Sequence, residues 1–325
     1  MNAWKALFVI SLVLFGATAV QAAPPAPDAK PRLVYLVSDL RIPFWNVMWR
    51  GVNARATELG YEVTALSAEN HAKQELEHTA KAIRERAAGI IVSPTNSSAC
   101  VTILKLAKNA GVPVVISDIG TDGGDYVSYV SSDNEDGAYQ IGKVLAEQMK
   151  KRGWRDGRVG IIAIPQKRAN GKARTAGFMR AMDEAGIKGA GLRQQVTFSY
   201  QETYDFAKQL IESAPDLRAL WLQGSDRYQG ALDAIRDTGK TGEILLVTFD
   251  AEPEFLDLIP AGTLVGAGMQ QPFLMGRKAV DALDAHLRGE TVTREQKLPV
   301  LAVSPDNIEK ELPTIKRNVL GLATP

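Results

Sequence analysis

The feature that most constrains the fold is a regular alternation of short apolar runs and amphipathic stretches, which begins at residue 32. The runs are rich in β-branched residues, and turn signals separate them from the helical stretches. The runs are RLVYLV, YEVTAL, GIIVS, VPVVIS and VSYVS, with predicted helices at Phe44–Leu59, Gln74–Ala87 and Ala99–Ala110. Strands that are apolar on both faces and alternate with helices form a parallel sheet covered on two sides.

The same pattern then starts again, which predicts a second, similar α/β lobe. The predicted strands are RVGIIAI, LRQQVTF, RALWLQ, EILLVTF and TLVGAG, and the predicted helices are Gly171–Ala185, Gln201–Ser213, Tyr228–Thr238 and Pro272–Arg288. The glycine pairs Gly189/Gly191 and Gly266/Gly268 are interpreted as turns. A chain of 325 residues exceeds the usual size of one hydrophobic core, so two lobes fit its length.

The N-terminal segment has the layout of a secretory signal peptide. Met1–Ala22 contains one charged residue, Lys5, then an apolar stretch and the small-residue end ATAVQA. Cleavage is expected after Ala22 or, alternatively, after Ala19, and residues 23–31 (APPAPDAKP) are interpreted as an extended linker. An uncleaved membrane anchor is disfavoured because the apolar stretch is short for a membrane span.

Charge and cysteine content narrow the class of protein further. Removing Met1–Ala22 takes away one of the 38 basic residues and none of the 37 acidic ones, so the mature chain is close to neutral. A neutral chain gives no support for nucleic-acid binding. Cys100 is the only cysteine, which excludes an internal disulfide and a cysteine metal cluster. Together with the signal peptide, this indicates an exported protein of the bacterial periplasm.

Polar residues follow most of the predicted strands, where open parallel sheets bind their ligands. They include Ser38-Asp39, Glu69-Asn70, Ser93-Pro94-Thr95, Ser117-Asp118, Gln166-Lys167, Phe198-Ser199, Gly224-Ser225-Asp226, Asp250 and Gln270. The aromatic residues Phe44, Trp45 and Phe198 lie nearby in the sequence. Hydrogen-bonding groups beside flat apolar faces suit a sugar or polyol, which is hydroxylated at its edge and rich in C–H groups on its faces. For each single residue, a helix cap or turn former remains the alternative.

Sequence motifs of common enzymes are not found, so we expect a non-enzymatic protein without a cofactor. The segment QKRANGKART contains Gly171-Lys172, but Ala173 replaces the Ser/Thr of a phosphate loop and the first glycine is missing. His71, Glu75 and His78 could share one helix face as a weak metal site, but a solvated face is favoured. Asp118 and Asp250 could act as an acid/base pair, yet they suit hydroxyl binding equally well.

The order and spacing of several segments resemble the periplasmic ribose-binding protein family. These segments are VSDLRIPFWNVMWRGVNARATELGY, IIVSPTNSSA, GVPVVISDIG, YVSSDN, ARTAGF, LVTFDAEPE and AGMQQP, and the resemblance covers about residues 32–300. It implies the type I periplasmic binding protein fold, in which two Rossmann-like parallel-sheet lobes are joined by a three-crossing hinge. The implied crossings lie near Ser132-Asp133, near Gln270 and near Leu301. The implied lobes are residues 32–132 plus 271–300, and 133–270 plus 301–325.

The resemblance also implies ligand contacts. Phe44 and Trp45 would stack on the ligand, Asp118 and Asp250 would accept hydroxyl protons, and Arg174 would donate to ligand oxygens. Met48 and Trp49 are expected to be core residues. The complete set of expected ligand-binding positions is Ser38, Ile42, Phe44, Trp45, Ser93, Asp118, Ile119, Arg174, Phe198, Gly224, Asp250 and Gln270.

The chain departs from the ribose-binding pattern where that pattern has polar side chains. Ile42 and Gly224 each replace an Asn, Ile119 replaces an Arg, and Ser93 is shorter than the family's Asn. We therefore expect a sugar, modified sugar or polyol other than ribose. The expected function is delivery of this ligand to the permease of an ABC importer; the alternative is a ligand-sensing adaptor of a sensor kinase or chemoreceptor. The protein is expected to be a monomer.

Overall fold

Two parallel-dominated sheets of six strands each form the framework, and helices pack on both faces of each sheet. The computed structural model describes residues 31–322. The predicted signal peptide and nearly all of the predicted linker lie outside the described residues. None of the described helices is both long and apolar enough to cross a membrane.

The strands of the two sheets follow the same spatial order. The first sheet runs β11-β5-β4-β3-β1-β2 and the second runs β12-β10-β9-β8-β6-β7. All neighbours are parallel except β10 and β12, which are antiparallel. The strands are β1 (Arg32–Val37), β2 (Glu62–Ser67), β3 (Gly89–Ser93), β4 (Val114–Ser117), β5 (Ser128–Ser132), β6 (Arg158–Ala163), β7 (Gly189–Gln194), β8 (Leu217–Leu222), β9 (Leu245–Phe249), β10 (Gly266–Met269), β11 (Glu295–Leu298) and β12 (Leu301–Val303).

Helices connect most successive strands of each sheet, whereas a loop without a helix joins β4 to β5. They are α1 (Pro43–Glu58), α2 (Ala72–Arg84), α3 (Ser97–Asn109), α4 (Asn134–Lys151), α5 (Ala169–Glu184), α6 (Tyr200–Ser213), α7 (Tyr228–Asp237), α8 (Phe255–Leu258), α9 (Pro272–Leu287) and α10 (Ile308–Thr314). A π-helical turn, Ile315–Val319, follows α10.

Each sheet separates two apolar layers, because the side chains of its central strands are apolar on both faces. In β1, Leu33, Tyr35 and Val37 belong to one layer, whereas Val34 and Leu36 belong to the other. This alternation is the period of two that a strand imposes on its side chains. The predicted fold class, two α/β lobes with mainly parallel sheets, is confirmed.

The chain passes between the two sheets three times. The passages lie between β5 and α4, between β10 and α9, and between β11 and β12. Gln271 joins two of them, because its side chain donates to the carbonyl oxygen of Pro299 at 2.9 Å. The described residues group as one compact unit, and the exact lobe boundaries given above stay a prediction.

Several elements differ from the sequence-based expectation; besides the short elements α8, α10, β11 and β12, which were not predicted, three are instructive. Helix α4 was not predicted, although Ala138, Ile141, Leu145 and Met149 form its buried stripe at helical spacing. Gly137 and Gly142 weaken the helical pattern of α4 in the sequence, because glycine has a low helix propensity. The segment predicted as the strand LRQQVTF is shifted, since β7 ends at Gln194 and a loop follows. The predicted glycine turns were wrong as well, because both pairs lie in strands, β7 and β10.

Candidate functional site

Residues from both sheets enclose a small cavity of about 50 Å³, which we call the chamber. It lies beyond the carboxyl ends of the strands, the usual place of ligand sites in open parallel sheets. Nine of the predicted ligand-binding residues line it: Ile42, Phe44, Trp45, Asp118, Arg174, Phe198, Gly224, Asp250 and Gln270.

The other three predicted residues, Ser38, Ser93 and Ile119, are fully buried and do not line the chamber. The Ser38 hydroxyl donates to the side-chain oxygen of Asn70 at 3.0 Å, and the Ser93 and Ser117 hydroxyls are 2.8 Å apart. Ile119 belongs to the apolar layer of the first sheet. In this structure the three residues therefore lie behind the residues that line the chamber.

Asp118 directly follows β4 and carries one of the two acidic groups that were predicted to bind hydroxyls. Its backbone is left-handed (φ 64°), a conformation uncommon for residues other than glycine. Its carboxylate accepts from the indole nitrogen of Trp45 at 3.0 Å and from the side-chain nitrogen of Asn170 at 3.4 Å. Burial raises the pKa of Asp118 to about 6, while the positive charge of Arg174 opposes the rise.

Asp250 occupies the equivalent place in the second sheet, directly after β9, and has the same left-handed backbone (φ 69°). One carboxylate oxygen accepts from the side-chain nitrogen of Gln270, and the other lies 3.5 Å from a guanidinium nitrogen of Arg174. Burial raises the pKa of Asp250, and Arg174 opposes the rise. Two carboxylates thus reach one chamber from corresponding strand ends of different sheets.

Arg174 is held rigidly at the base of the chamber, with 3% of its surface exposed. It donates to the side-chain oxygen of Asn134 at 2.8 Å and to the carbonyl oxygen of Gln223 at 2.6 Å. Its guanidinium carbon lies 4.1 Å from the centre of the Phe249 ring. Because these contacts fix the side chain, Arg174 is preorganised as a donor near Asp250.

Aromatic rings form two walls of the chamber. Trp45 is 4% exposed, and its ring is edge-on to Phe44 at 6.2 Å between centroids. Phe198 comes from the other lobe and has a left-handed backbone (φ 54°), which its N–H bond to Glu202 stabilises. Two other large side chains of α1 do not line the chamber: Met48 is fully buried, and Trp49 stacks on Tyr35.

Arg168 is a chamber residue that the sequence analysis missed. It precedes α5, is 4% exposed, and its guanidinium carbon lies 5.5 Å from the ring centres of both Trp45 and Phe198. It donates to the carbonyl oxygen of Thr95 at 3.2 Å and to the side-chain oxygen of Asn70 at 3.0 Å, both on the first sheet's side. Burial lowers the pKa of Arg168 to about 10.

Four further chamber residues were not predicted, namely Ile164, Asn170, Gln195 and Asp226. Arg168 and Asn170 lie in the segment QKRANGKART, of which only Gln166-Lys167, as polar residues after a strand, and Arg174, as a ligand contact, were singled out. The available signal was position, because residues 164–168 link β6 to α5 as residues 38–42 link β1 to α1 in the first lobe. Asp226 was among the polar residues after predicted strands but was not assigned to the ligand.

Two buried oxygen atoms of the chamber have no hydrogen-bond partner among the described residues, Gln270 Oε1 and Asp226 Oδ2. The latter lies 3.1 Å from a guanidinium nitrogen of Arg227, which is an ion pair without hydrogen-bond geometry. Burial raises the pKa of Asp226 to about 6, and Arg227 opposes the rise. Buried acceptors are nearly always paired in proteins, so these atoms indicate where a ligand would donate hydrogen bonds.

The chamber can bind hydrogen-bond donors but lacks the parts of a nucleophilic site. Ionised carboxylates only accept hydrogen bonds, and the arginines only donate them. The three histidines lie elsewhere; His78 contacts the carbonyl oxygen of Ser67, whereas Glu75 accepts from Thr95. Within residues 31–322, no cluster of three His, Cys, Asp or Glu residues is placed to hold a metal ion.

Comparisons with known proteins agree with the observed fold. A family model described as "Periplasmic binding protein domain" matches residues 33–291. The ribose import binding protein of Salmonella typhimurium is 28% identical over 92% of this chain and 97% of its own length. A carbohydrate transporter solute binding protein from Agrobacterium radiobacter, solved with D-arabinose, superposes with a TM-score of 0.83 at 22% identity, covering 90% of this chain and 99% of that one. The myo-inositol binding protein of Caulobacter has a TM-score of 0.78 at 25% identity, and the superposition covers 87% of this chain and 96% of that one.

Proposed function

Because the chain belongs to the periplasmic binding protein family, we propose that it binds a sugar or polyol in the chamber and delivers it to an ABC importer. The observation that carries this proposal is the pair Asp118 and Asp250, which reach one enclosed chamber from corresponding strand ends of two sheets. Acceptors on opposite walls suit a ligand that donates from opposite edges, as a hydroxylated ring does.

The remaining walls fit the same chemistry. Trp45 and Phe198 offer flat apolar faces to C–H groups, while Arg174 and Arg168 can donate to ring or hydroxyl oxygens. The unpartnered acceptors Gln270 Oε1 and Asp226 Oδ2 add two sites for ligand hydroxyls. The twelve ligand contacts expected from the sequence stay predictions, and we add Arg168, Asn170 and Asp226 to them.

The relatives favour an importer over a sensory adaptor as the downstream partner. The Salmonella protein that matches nearly the whole chain is named as an import binding protein. We propose further that the protein acts in the periplasm after cleavage of Met1–Ala22, and that it works as a monomer with lobes at 32–132 plus 271–300 and 133–270 plus 301–325. These finer statements rest on the sequence pattern described above.

We propose that ribose is not the preferred ligand, despite the similarity to a ribose import protein. Ile42 and Gly224 line the chamber where the ribose-binding pattern has amides, and neither offers a side-chain hydrogen bond. A buried ligand hydroxyl left without a partner costs about 1–3 kcal/mol. The ribose-binding pattern has an Arg at the position of Ile119. Arg168 supplies a positive charge near Asp118 in its place, but from the second lobe. The ligand should therefore have an apolar edge towards Ile42.

A thermal-shift panel tests the function. D-ribose, D-arabinose, D-allose, D-apiose, deoxy- and amino-sugars and myo-inositol are added separately to purified protein, and native mass spectrometry identifies any small molecule that co-purifies. We expect at least one compound other than ribose to give the largest increase in Tm. Ribose as the strongest stabiliser would contradict the ligand proposal. A panel without any stabilising compound, and a co-purified molecule that is neither a sugar nor a polyol, would contradict the function itself.

A further inference from the structure

A second cavity of about 390 Å³, which we call the side cavity, adjoins the chamber. Phe44, Asp250 and Gln270 line both cavities, so these residues lie at the boundary between them. The difference in volume indicates which of the two cavities could hold a larger chemical group. Ligand pockets usually measure about 300–1,000 Å³, a range that includes the side cavity but not the chamber of about 50 Å³.

The walls of the side cavity are largely apolar. Leu40 and Val47 contribute from the first lobe, Pro253 from the loop after β9, and Leu320 from the C-terminal segment. Leu322 also lines the cavity and is 59% exposed, which places it at the rim. Such walls suit a group with C–H surface rather than a second, fully hydroxylated ring.

Both arginines of the side cavity already have partners. Arg50 donates to the carbonyl oxygens of residues 320–321 at 2.7 and 3.1 Å. Arg41 forms ion pairs with Asp39 at 2.7 Å and with Glu69 at 3.5 Å. Asp39 and Glu69 thus balance the charge of Arg41, whereas backbone carbonyl oxygens of the C-terminal segment hold the Arg50 guanidinium in place.

Glu252 is the acidic group of the side cavity without a cation. Its one side-chain hydrogen bond comes from the Ser225 hydroxyl at 2.8 Å, and no Lys or Arg of residues 31–322 forms an ion pair with it. Burial raises the pKa of Glu252 to about 7, and the nearby charges of Asp226 and Asp250 add to the rise. Of the three carboxylates that a cation would meet here, Asp250 already lies near Arg174 and Asp226 near Arg227, whereas Glu252 has no ion pair among the described residues.

We propose that the natural ligand is a substituted sugar, whose ring lies in the chamber and whose substituent, an apolar chain ending in an amine, occupies the side cavity and pairs with Glu252. This rests on the proposed sugar-binding function and refines it. Gln270 lines both cavities and is 1% exposed, so its unpartnered side-chain oxygen could accept a hydrogen bond from a ring hydroxyl next to the substituent. The apolar side chains of Val47 and Leu320 would pack against the apolar part of the substituent.

Calorimetry with matched ligands tests this proposal. The probes are D-ribose, D-arabinose and D-allose, each as the free sugar, as both anomers of its ethyl glycoside and as both anomers of its 2-aminoethyl glycoside. For wild type we expect one aminoethyl glycoside to bind at least about tenfold more tightly than its ethyl counterpart and its free sugar, the effect of one hydrogen bond to a charged group.

Two variants separate the parts of the site. Glu252→Gln should remove the gain from the amine, whereas Glu254→Gln, an exposed neighbour, should keep it. Val47→Trp should fill the side cavity and abolish binding of both glycosides while free-sugar affinity stays unchanged, because Val47 does not line the chamber. Val196→Trp, at a position 73% exposed, is the control for the added tryptophan.

Three negative results of these experiments lead to different conclusions. If free sugars bind and every glycoside binds more weakly, the side cavity is not a ligand subsite and the proposed function stands. If the amine gain persists in Glu252→Gln, the assignment of Glu252 is wrong. If no probe binds at all, the sugar-binding function fails together with this inference.

Discussion

Asp118 and Asp250 show how a single position after a strand acquires a function. Both adopt the left-handed backbone conformation, which costs about 1–2 kcal/mol for a residue with a side chain. The conformation turns the chain at the strand end, and the carboxylate then enters the chamber. Asn134 and Gln223 hold Arg174 beside Asp250. The local strain is consistent with a binding role, because such backbones cluster at functional sites.

Replacing either acid by its amide should therefore weaken ligand binding. A hydrogen bond to a charged group contributes about 1.5–3 kcal/mol, so Asp118→Asn and Asp250→Asn should each lower affinity for the best panel compound by roughly 10–150-fold. Calorimetry measures the effect, with the exposed Asp122→Asn as the control from the same loop. Wild-type affinity in both variants would place the ligand elsewhere.

Glu75 is a buried acid behind the chamber, and it should make stability depend on pH. It is 1% exposed and accepts from the backbone N–H and the hydroxyl of Thr95, whose carbonyl oxygen accepts from Arg168. Burial raises the pKa of Glu75 from 4.5 to about 7, whereas the Thr95 bonds oppose the rise. Since the folded state binds this proton more tightly than the unfolded state, the contribution of Glu75 to stability is present below about pH 4 and is lost as pH rises through about 7.

Substitution of Glu75 by Gln should remove this dependence. From about pH 5 to about pH 8, the free energy of unfolding of Glu75→Gln should increase relative to wild type by on the order of 2 kcal/mol. Urea denaturation at both pH values measures the difference. Glu77→Gln, on the exposed face of the same helix, should give a curve parallel to wild type. A parallel curve for Glu75→Gln would contradict the prediction.

At the scale of elements, pairs of helices pack so closely that glycine is required between them. In the first lobe, a Cβ atom on Gly276 of α9 would lie 2.8 Å from the backbone nitrogen of Val52 in α1 and would overlap the carbonyl oxygen of Met48. In the second lobe, a Cβ atom on Gly177 of α5 would overlap the carbonyl oxygen of Glu135 in α4. Both helices of each pair are held backbone to backbone, which fixes the start of α1 and α5 at the chamber.

Gly276→Ala should consequently destabilise the first lobe. Overpacking of this kind costs about 1–3 kcal/mol, and the contact here involves backbone atoms that cannot rotate away. We expect a loss of about 3 kcal/mol in urea denaturation. Gly189→Ala is the control, because a Cβ atom there meets nothing within 4 Å, and it should stay within about 0.5 kcal/mol of wild type. Equal stability of the two variants would show that α1 and α9 can move apart.

For the whole molecule, the contacts across the chamber describe a closed arrangement of the lobes. Besides the Arg168 bonds to the first lobe, the backbone N–H of Ala169 donates to the Ser97 hydroxyl at 3.4 Å. These few bonds bridge two lobes that the chain joins only at three passages. A typical hydrogen bond contributes about 0.5–1.5 kcal/mol, so ligand contacts with both lobes can decide between open and closed states.

Ligand binding should close the lobes as rigid bodies about the three passages. Small-angle scattering should therefore give a smaller radius of gyration with a saturating amount of the best panel compound than without it. A compound that does not raise Tm serves as the control and should leave the radius unchanged. An unchanged radius with the binding compound would contradict a hinge mechanism.

Much of the architecture follows from local sequence pattern alone. Runs such as RLVYLV and GIIVS must be buried on both faces, so they specify central strands of parallel sheets wherever they occur. The polar residues after these strands, including Asp118 and Asp250, then lie at one edge because parallel strands all end on the same side. The pattern was weaker where glycines interrupt a helix, as in α4, and where a strand lies at the edge of a sheet, as in β7.

The tertiary structure decided which of these residues meet. Arg168 reaches Trp45 and Thr95 across more than 70 positions of the chain, and no local pattern encodes that approach. The side cavity likewise depends on how α1, the loop after β9 and the C-terminal segment come together. Periodicity and strand ends act over a few residues, so the sequence by itself determined the two sheets and their polar edges. Contacts between lobes depend on the path of three connecting segments, and for that reason only the folded molecule determined the chamber, its second arginine and its neighbouring cavity.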